Sequence, residues 1–116
     1  MAIEEIGAEE LRRLLRERPE DLEIIDVREA KEFEVVRIRG SKLIPMNELP
    51  RRADEIDWNR EVVFVCRSGK RSQLIAGMAA AGGADVKNLS FGIFECFKDG
   101  KGEFLEGSKG EAERYF

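Results

Sequence analysis

Residues 62–73 constrain the fold most, because an apolar strand, a basic loop and a helix follow one another there without a spacer. Residues 62–65 are apolar and mostly β-branched, as is typical of a strand buried on both faces of a parallel sheet. Cys66 ends this strand and opens a loop that contains Gly69. The basic residues of the loop are Arg67, Lys70 and Arg71. From Ser72 the apolar spacing is helical and predicts a core-facing stripe of Leu74, Ile75, Met78 and Ala79.

The surroundings of Cys66 are those of a reactive thiol. Backbone N–H groups at a helix N-terminus point toward a bound anion, and the helix dipole favours negative charge there. Gly69 permits a turn that brings successive N–H groups toward the sulfur, and the basic side chains add positive charge. We therefore expect Cys66 to be partly thiolate at neutral pH. This interpretation is favoured over a buried cysteine that only fills space.

Length and charge narrow the class of protein. A chain of 116 residues is one domain, large enough to bury a core, and 42% hydrophobic with 38% charged residues is a globular composition. The net charge of -4 argues against nucleic-acid binding, so the basic loop suits a small anion. There is no apolar run of membrane-spanning length and no signal-peptide pattern, which predicts a cytoplasmic protein with no membrane partner.

Histidine is absent from the sequence. This removes the commonest general base, the commonest metal ligand and the Cys–His pair of papain-like catalysis. The two cysteines, Cys66 and Cys96, are too few for a disulfide scaffold and too far apart in sequence to suggest a metal site. We therefore expect no metal and no cofactor, and chemistry that depends on a thiolate activated by its surroundings.

Strands and helices alternate along the chain, which predicts an α/β fold with a mainly parallel central sheet flanked by helices. The predicted strands are 3–6, 22–28, 42–44, 62–65 and 85–89. The predicted helices are 8–15, 29–36, 48–56, 72–81 and a short one after Phe91. We assign residues 1–98 to one domain and residues 99–116 to a C-terminal tail that packs on it or extends from it.

Asp26 and Arg28 lie at the C-terminal end of the second predicted strand. In parallel α/β sheets this edge carries the functional site, so we expect both residues to lie near the Cys66 loop. Asp26 could support the site by accepting hydrogen bonds from the loop or by pairing with Arg71. It could equally cap the turn that follows the strand.

Four groups of residues occur in one order along positions 3–98. They are residues 24–29 with Phe33, Arg39-Gly40-Ser41 with Ile44-Pro45, residues 63–72, and Asn88-Leu89 with Gly92-Ile93. In this order they resemble a single-domain rhodanese. The resemblance implies a rhodanese-like fold and a sulfurtransferase that carries sulfane sulfur as a persulfide on Cys66. The residues that it implies for the persulfide cradle are Arg67, Ser68, Gly69, Lys70 and Arg71.

The resemblance also implies two partners, a small anionic sulfur donor such as thiosulfate and a thiol or protein cysteine as acceptor. Such a double displacement needs no proton relay, so the lack of histidine is compatible with it. Supporting roles are expected for Asp26, Arg28 and Ser72.

Two other functional classes remain as alternatives. Cysteine phosphatases also hold a thiolate in an anion-binding loop, but they resemble Cys-x5-Arg, whereas Cys66 to Arg71 is Cys-x4-Arg. The shorter loop should form a smaller cradle that fits one sulfur better than a phosphoryl group. A non-catalytic binding or regulatory domain is the other alternative, and the intact Cys66 argues against it.

Cys96 admits two interpretations. It could be a resolving thiol that attacks the Cys66 persulfide and closes a disulfide. It could instead be a small buried residue at a position where rhodaneses often have Trp, with Phe94 or Phe97 filling the gap. The second interpretation is favoured, because cysteines of this kind are often inert core residues.

Overall fold

The computed structural model describes residues 2–98 and 104–107, apart from the side chains of residues 97 and 98. The strands are β1 (Ile3–Ile6), β2 (Leu22–Asp26), β3 (Val36–Ile38), β4 (Lys42–Leu43), β5 (Glu61–Val65), β6 (Val86–Leu89) and β7 (Leu105–Gly107). The helices are α1 (Ala8–Glu17), α2 (Ala30–Val35), α3 (Leu49–Arg52), α4 (Lys70–Ala81) and α5 (Gly92–Lys98). Across the described ranges, no helix is long and apolar enough to span a bilayer.

The main sheet has five strands in the order β1-β6-β5-β2-β4, and every pairing in it is parallel. This confirms the predicted α/β fold with a parallel sheet and helices. The central strand β5 pairs with β2 so that Val65 lies opposite Asp26. The C-terminal ends of these two strands therefore meet at one edge of the sheet, as the sequence predicted.

A separate two-stranded antiparallel ribbon joins β3 to β7, with Ile38 opposite Leu105. The β7 residues belong to the segment that the sequence assigned to a C-terminal tail. Here they pair with the domain through β3. Residues 99–103 and 108–116, including the terminal aromatic pair, lie outside the described residues.

The core consists of two clusters of buried apolar residues, and the alternation along β5 divides its side chains between them. Val63 and Val65 belong to the cluster with α1 and α5, whereas Val62 and Phe64 belong to the cluster with α4. Because consecutive side chains of a strand point to opposite faces, each cluster covers one face of the sheet. Cys66 continues this alternation and belongs to the second cluster.

The predicted helix 29–36 ends one residue early, because Val36 begins β3, and two other predicted helices differ more. Helix α4 begins at Lys70 instead of Ser72, and the predicted apolar stripe is wrong in part. Leu74 and Met78 are 64% and 63% exposed, while Ile75 is buried. The predicted helix 48–56 divides into α3 and a 3-10 turn at Ala53–Glu55.

Candidate functional site

Cys66 follows directly after β5, at the C-terminal edge of the sheet. The neighbouring segment after β2 is held against it, because the Val27 N–H donates to the carbonyl of Val65 at 2.9 Å. Asp26 and Arg28 flank Val27, so the structure places both residues beside the start of the Cys66 loop, as expected.

Three donors approach the sulfur of Cys66. The backbone N–H of Gly69 lies 3.0 Å from Sγ, and Ser72 contributes its N–H at 3.4 Å and its hydroxyl at 3.3 Å. Cys66 itself has no exposed surface. Complete burial is common for a packing cysteine, so the feature that distinguishes this position is the set of hydrogen-bond donors that converge on the sulfur.

Two glycines make the tight loop possible. Gly69 has φ of 93°, and a Cβ there would lie 1.9 Å from the carbonyl oxygen of Ser90. Gly92 has φ of 65°, and a Cβ there would lie 2.3 Å from the carbonyl oxygen of Arg67. The backbone after β6 therefore packs directly on the Cys66 loop. The N–H of Ile93 completes this contact by donating to the Cys66 carbonyl at 2.9 Å.

The charges of the loop divide into two groups. Arg67, Ser68 and Lys70 are exposed at the surface of the loop. Arg71 is instead bound to the buried carboxylate of Glu32 on α2, with Nη1–Oε1 and Nη2–Oε2 distances of 3.0 and 3.1 Å. The loop thus presents Arg67 and Lys70 to solvent and uses Arg71 to join two elements.

The Glu32–Arg71 pair affects the pKa values of both groups. Burial raises the pKa of Glu32, but hydrogen bonds from Arg71 and from the Glu29 backbone outweigh it, and the net pKa is lowered. The hydrogen bond to Glu32 raises the pKa of Arg71. Both shifts stabilise the charged forms, so the pair remains ionised well below neutral pH.

Asp26 and Arg28 form another ion pair, which is fully buried. Arg28 Nε lies 3.0 and 3.1 Å from the two carboxylate oxygens, and Nη2 lies 2.9 Å from Oδ2. The Arg28 N–H also donates to Oδ1 at 3.0 Å, which is the turn-capping role that the sequence left open. Arg28 Nη2 reaches the carbonyl of Val36 at 2.6 Å and ties the pair to β3.

The structure corrects one expected contact and adds two residues. Arg71 pairs with Glu32 and not with Asp26, because Asp26 is occupied by Arg28. Glu32 could have been singled out as an acidic residue in the first turn of α2, where it also accepts the Glu29 N–H. Asn88 on β6 donates to the Gly69 carbonyl at 3.3 Å, a contact that no local sequence signal indicates.

Cys96 lies in the other core cluster, across the sheet from Cys66. It is 6% exposed and lines a small cavity with Leu11, Ile38 and Leu105. The two cysteines do not form a disulfide. In the part of the chain that the structure describes, no group of acidic or cysteine side chains is arranged to hold a metal ion.

The rhodanese-like domain family model matches residues 7–98. The chain belongs to this family. A sulfurtransferase of Allochromatium vinosum is 35% identical over 99 residues, which are 84% of this chain and 92% of that protein. The crystal structure of a rhodanese-like domain protein from Staphylococcus aureus is 30% identical, with a TM-score of 0.77, covering 90% of this chain and 98% of that one.

A third relative is longer than this rhodanese-like chain. A putative sulfur carrier protein of Bacillus subtilis is 44% identical over 57 residues. The match covers 49% of this chain and 31% of that protein, so the shared segment spans about a third of the relative.

Proposed function

We propose that this protein is a sulfurtransferase that carries sulfane sulfur as a persulfide on Cys66. The single observation that carries the proposal is the convergence of three donors from Gly69 and Ser72 on Sγ. Membership of the rhodanese-like family and the name of the Allochromatium relative support the same class of reaction.

The reaction consists of two displacements at sulfur. The Cys66 thiolate attacks the outer sulfur of an anionic donor such as thiosulfate. A new S–S bond forms, the donor's own S–S bond breaks, and sulfite leaves with the electron pair. A thiolate or cyanide acceptor then attacks the outer sulfur of the persulfide and releases Cys66 as thiolate. No proton transfer is needed in either step, which is compatible with a chain that lacks histidine.

The loop groups have separate tasks in this mechanism. The N–H groups that reach Sγ stabilise the thiolate and the negatively charged persulfide without reorganising. Arg67 and Lys70, exposed at the surface, attract the anionic donor. Arg71 holds the loop against α2 through Glu32.

The state of Arg71 bears on the phosphatase alternative. A phosphoryl group needs an arginine whose guanidinium can turn its two parallel N–H donors toward the phosphate oxygens. Here Nη1 and Nη2 both already bond to the carboxylate of Glu32. The observed loop therefore suits a sulfur atom carried on Cys66 better than a phosphoryl group carried there.

Intact-mass spectrometry after incubation with thiosulfate tests the proposal. We expect a gain of about 32 Da, one sulfur atom, that reductant reverses. The matched control is Cys66→Ser, which should gain no mass, whereas Cys96→Ala should gain it normally. Turnover of an aryl phosphate without a sulfur adduct would favour the phosphatase, and neither activity would favour a non-catalytic domain.

A further inference from the structure

The polar residues beneath the Cys66 loop belong to β1 and β6, not to the loop itself. Asn88 on β6 is 1% exposed and its side-chain amide nitrogen makes two hydrogen bonds. One goes to the carbonyl of Gly69 at 3.3 Å and the other to the carboxylate of Glu5 on β1 at 2.9 Å. Glu5 lies directly opposite Asn88 in the parallel pairing of these strands.

The side-chain oxygen of Asn88, Oδ1, has no hydrogen-bond partner among the described residues. This atom is buried. Buried polar atoms are nearly always hydrogen-bonded, so a buried asparagine with an unmatched acceptor is not explained by stability alone. A similarly sized apolar side chain at this position would leave no orphan atom. The NH2 group is therefore the part of the Asn88 side chain that makes contacts.

Glu5 determines which way the Asn88 amide faces. A carboxylate only accepts hydrogen bonds, so it selects the NH2 end of Asn88 and leaves that end facing the Gly69 carbonyl as well. Glu5 also accepts from the hydroxyl of Ser90 at 2.9 Å and from the Gln73 side chain at 3.3 Å. The carboxylate is therefore held in place by neutral donors on both sides of Asn88.

Gly69 is the residue that links this network to the sulfur. Its carbonyl accepts from Asn88, from the Ser72 hydroxyl at 3.3 Å and from the Gln73 N–H at 3.1 Å. Its own N–H makes the shortest contact to Cys66 Sγ, at 3.0 Å. Because Gly69 has no side chain and a positive φ, only contacts to its backbone can fix its position.

We propose that Asn88, oriented by Glu5, is a positioning residue that holds Gly69 so that its N–H stabilises the Cys66 thiolate. Asn88 acts on the sulfur only through the Gly69 backbone, and Glu5 acts through Asn88. This inference rests on the proposed function only in taking Cys66 as the reacting thiol. Removing the Asn88 amide should let Gly69 move away from Sγ, and the thiolate should become less stable.

The test measures thiolate formation directly. It uses a Cys96→Ala background, in which Cys66 is the one remaining thiol. Thiolate absorbance and iodoacetamide alkylation are measured against pH for the parent and for Asn88→Ala. We expect the midpoint for Asn88→Ala to rise by roughly 0.5–1 pH unit, as the loss of a hydrogen bond to the charged form predicts. In thiosulfate:cyanide transfer, kcat should fall more than KM rises.

Matched variants separate positioning from stability. Glu4→Ala removes the neighbouring carboxylate of β1, which pairs with Lys87 and not with Asn88, and it should leave the midpoint unchanged. Glu5→Ala should raise the midpoint in the same direction, and Glu5→Gln, whose amide oxygen can still accept from Asn88, should restore it. The Glu5 variants decide the question if Asn88→Ala does not fold, because Glu5 is on the exposed side of the edge strand.

Two results would overturn the inference. One is an unmoved midpoint in Asn88→Ala with only a lower melting temperature, and the other is an unmoved midpoint in Glu5→Ala. The proposed function fails by a different result, namely no sulfur adduct on the parent protein. A midpoint that shifts in a protein without transferase activity would support the positioning role and contradict the transferase.

Discussion

The two cysteines of this chain lie on opposite faces of one sheet and have different surroundings. Cys66 ends the central strand beneath a loop, and its sulfur accepts from Gly69 and Ser72. Cys96 lies on α5 in a cluster made of apolar side chains such as Leu11 and Ile38. Both are buried, so burial does not distinguish a reactive thiol from a packing thiol. What singles out Cys66 as the candidate reacting thiol is the set of loop donors, from Gly69 and Ser72, that converge on its sulfur.

The charged groups follow the same division. The buried pair Asp26–Arg28 and the half-buried pair Glu32–Arg71 both lie in the region of Cys66. Each pair joins separate segments, since Arg28 also reaches β3 and Arg71 reaches α2. A buried ion pair seldom adds net stability over apolar packing, but loss of one partner is strongly destabilising. The region around Cys66 thus holds two ion pairs that tie neighbouring segments together, whereas the small cavity beside Cys96 is lined by apolar side chains and one buried arginine, Arg12.

The largest expected effect is on activity, from Cys66→Ser. We expect loss of thiosulfate:cyanide sulfur transfer with an unchanged melting temperature, because a hydroxyl in this site stays protonated and is a poor nucleophile toward sulfur. Steady-state assay and thermal unfolding measure the two quantities. Retention of most of the activity would move the nucleophile to Cys96 and reverse the comparison between the cysteines.

The largest expected effect on stability comes from Asp26→Asn. The substitution leaves the buried Arg28 guanidinium without its carboxylate, and we expect the free energy of unfolding to fall by about 3 kcal/mol. Urea denaturation measures it, with Asp21→Asn at an exposed site as the control. An unfolding free energy equal to that of the control would show that the Asp26–Arg28 pair does not support this region.

Much of the fold could be predicted from the sequence, because the apolar runs of β2 and β5 are unambiguous and helices alternate with them. The details of α4 could not. Of the predicted stripe, Ile75 faces the core, whereas Leu74 and Met78 are exposed, and Ala76 is buried although it was not predicted to be. The spacing of apolar residues indicates that a segment is helical. Which side of the helix faces the core depends on the elements that pack against it.

The candidate site shows the same limit. The sequence was enough to single out Cys66 and its loop, since strand, glycine and basic residues are contiguous there. It could not supply the partners of Arg71 or Gly69, because Glu32 is 39 residues from Arg71 and Asn88 is 19 residues from Gly69. Contacts of this kind depend on the order of strands in the sheet, which no local pattern contains.

A smaller effect is expected from Glu32→Gln, and it depends on pH. Folding lowers the pKa of Glu32, so the pair with Arg71 stabilises the protein above the ordinary carboxyl value of 4.5 and loses this contribution as pH falls below it. We expect the variant to be less stable than the parent by about 1 kcal/mol at pH 7, because Arg71 is partly exposed.

Urea denaturation at several pH values measures this difference. The gap between parent and Glu32→Gln should close as the pH approaches 4 and below, whereas Glu34→Gln, an exposed position on the same helix, should match the parent throughout. A difference in unfolding free energy that stays constant with pH would mean that the shape of the Glu32 side chain, and not its charge, stabilises the protein.

The smallest effect on activity is expected from Cys96→Ala. Cys96 and Cys66 belong to different core clusters, so the sheet lies between their side chains. We therefore expect unchanged sulfur transfer, a stability loss below about 1 kcal/mol from the removed sulfur, and no Cys66–Cys96 disulfide on mild oxidation. Non-reducing peptide mapping after peroxide treatment measures the last of these. A linked peptide that contains both cysteines would mean that the two sulfur atoms can meet despite the sheet between them. Cys96 would then be a resolving thiol instead of a core residue.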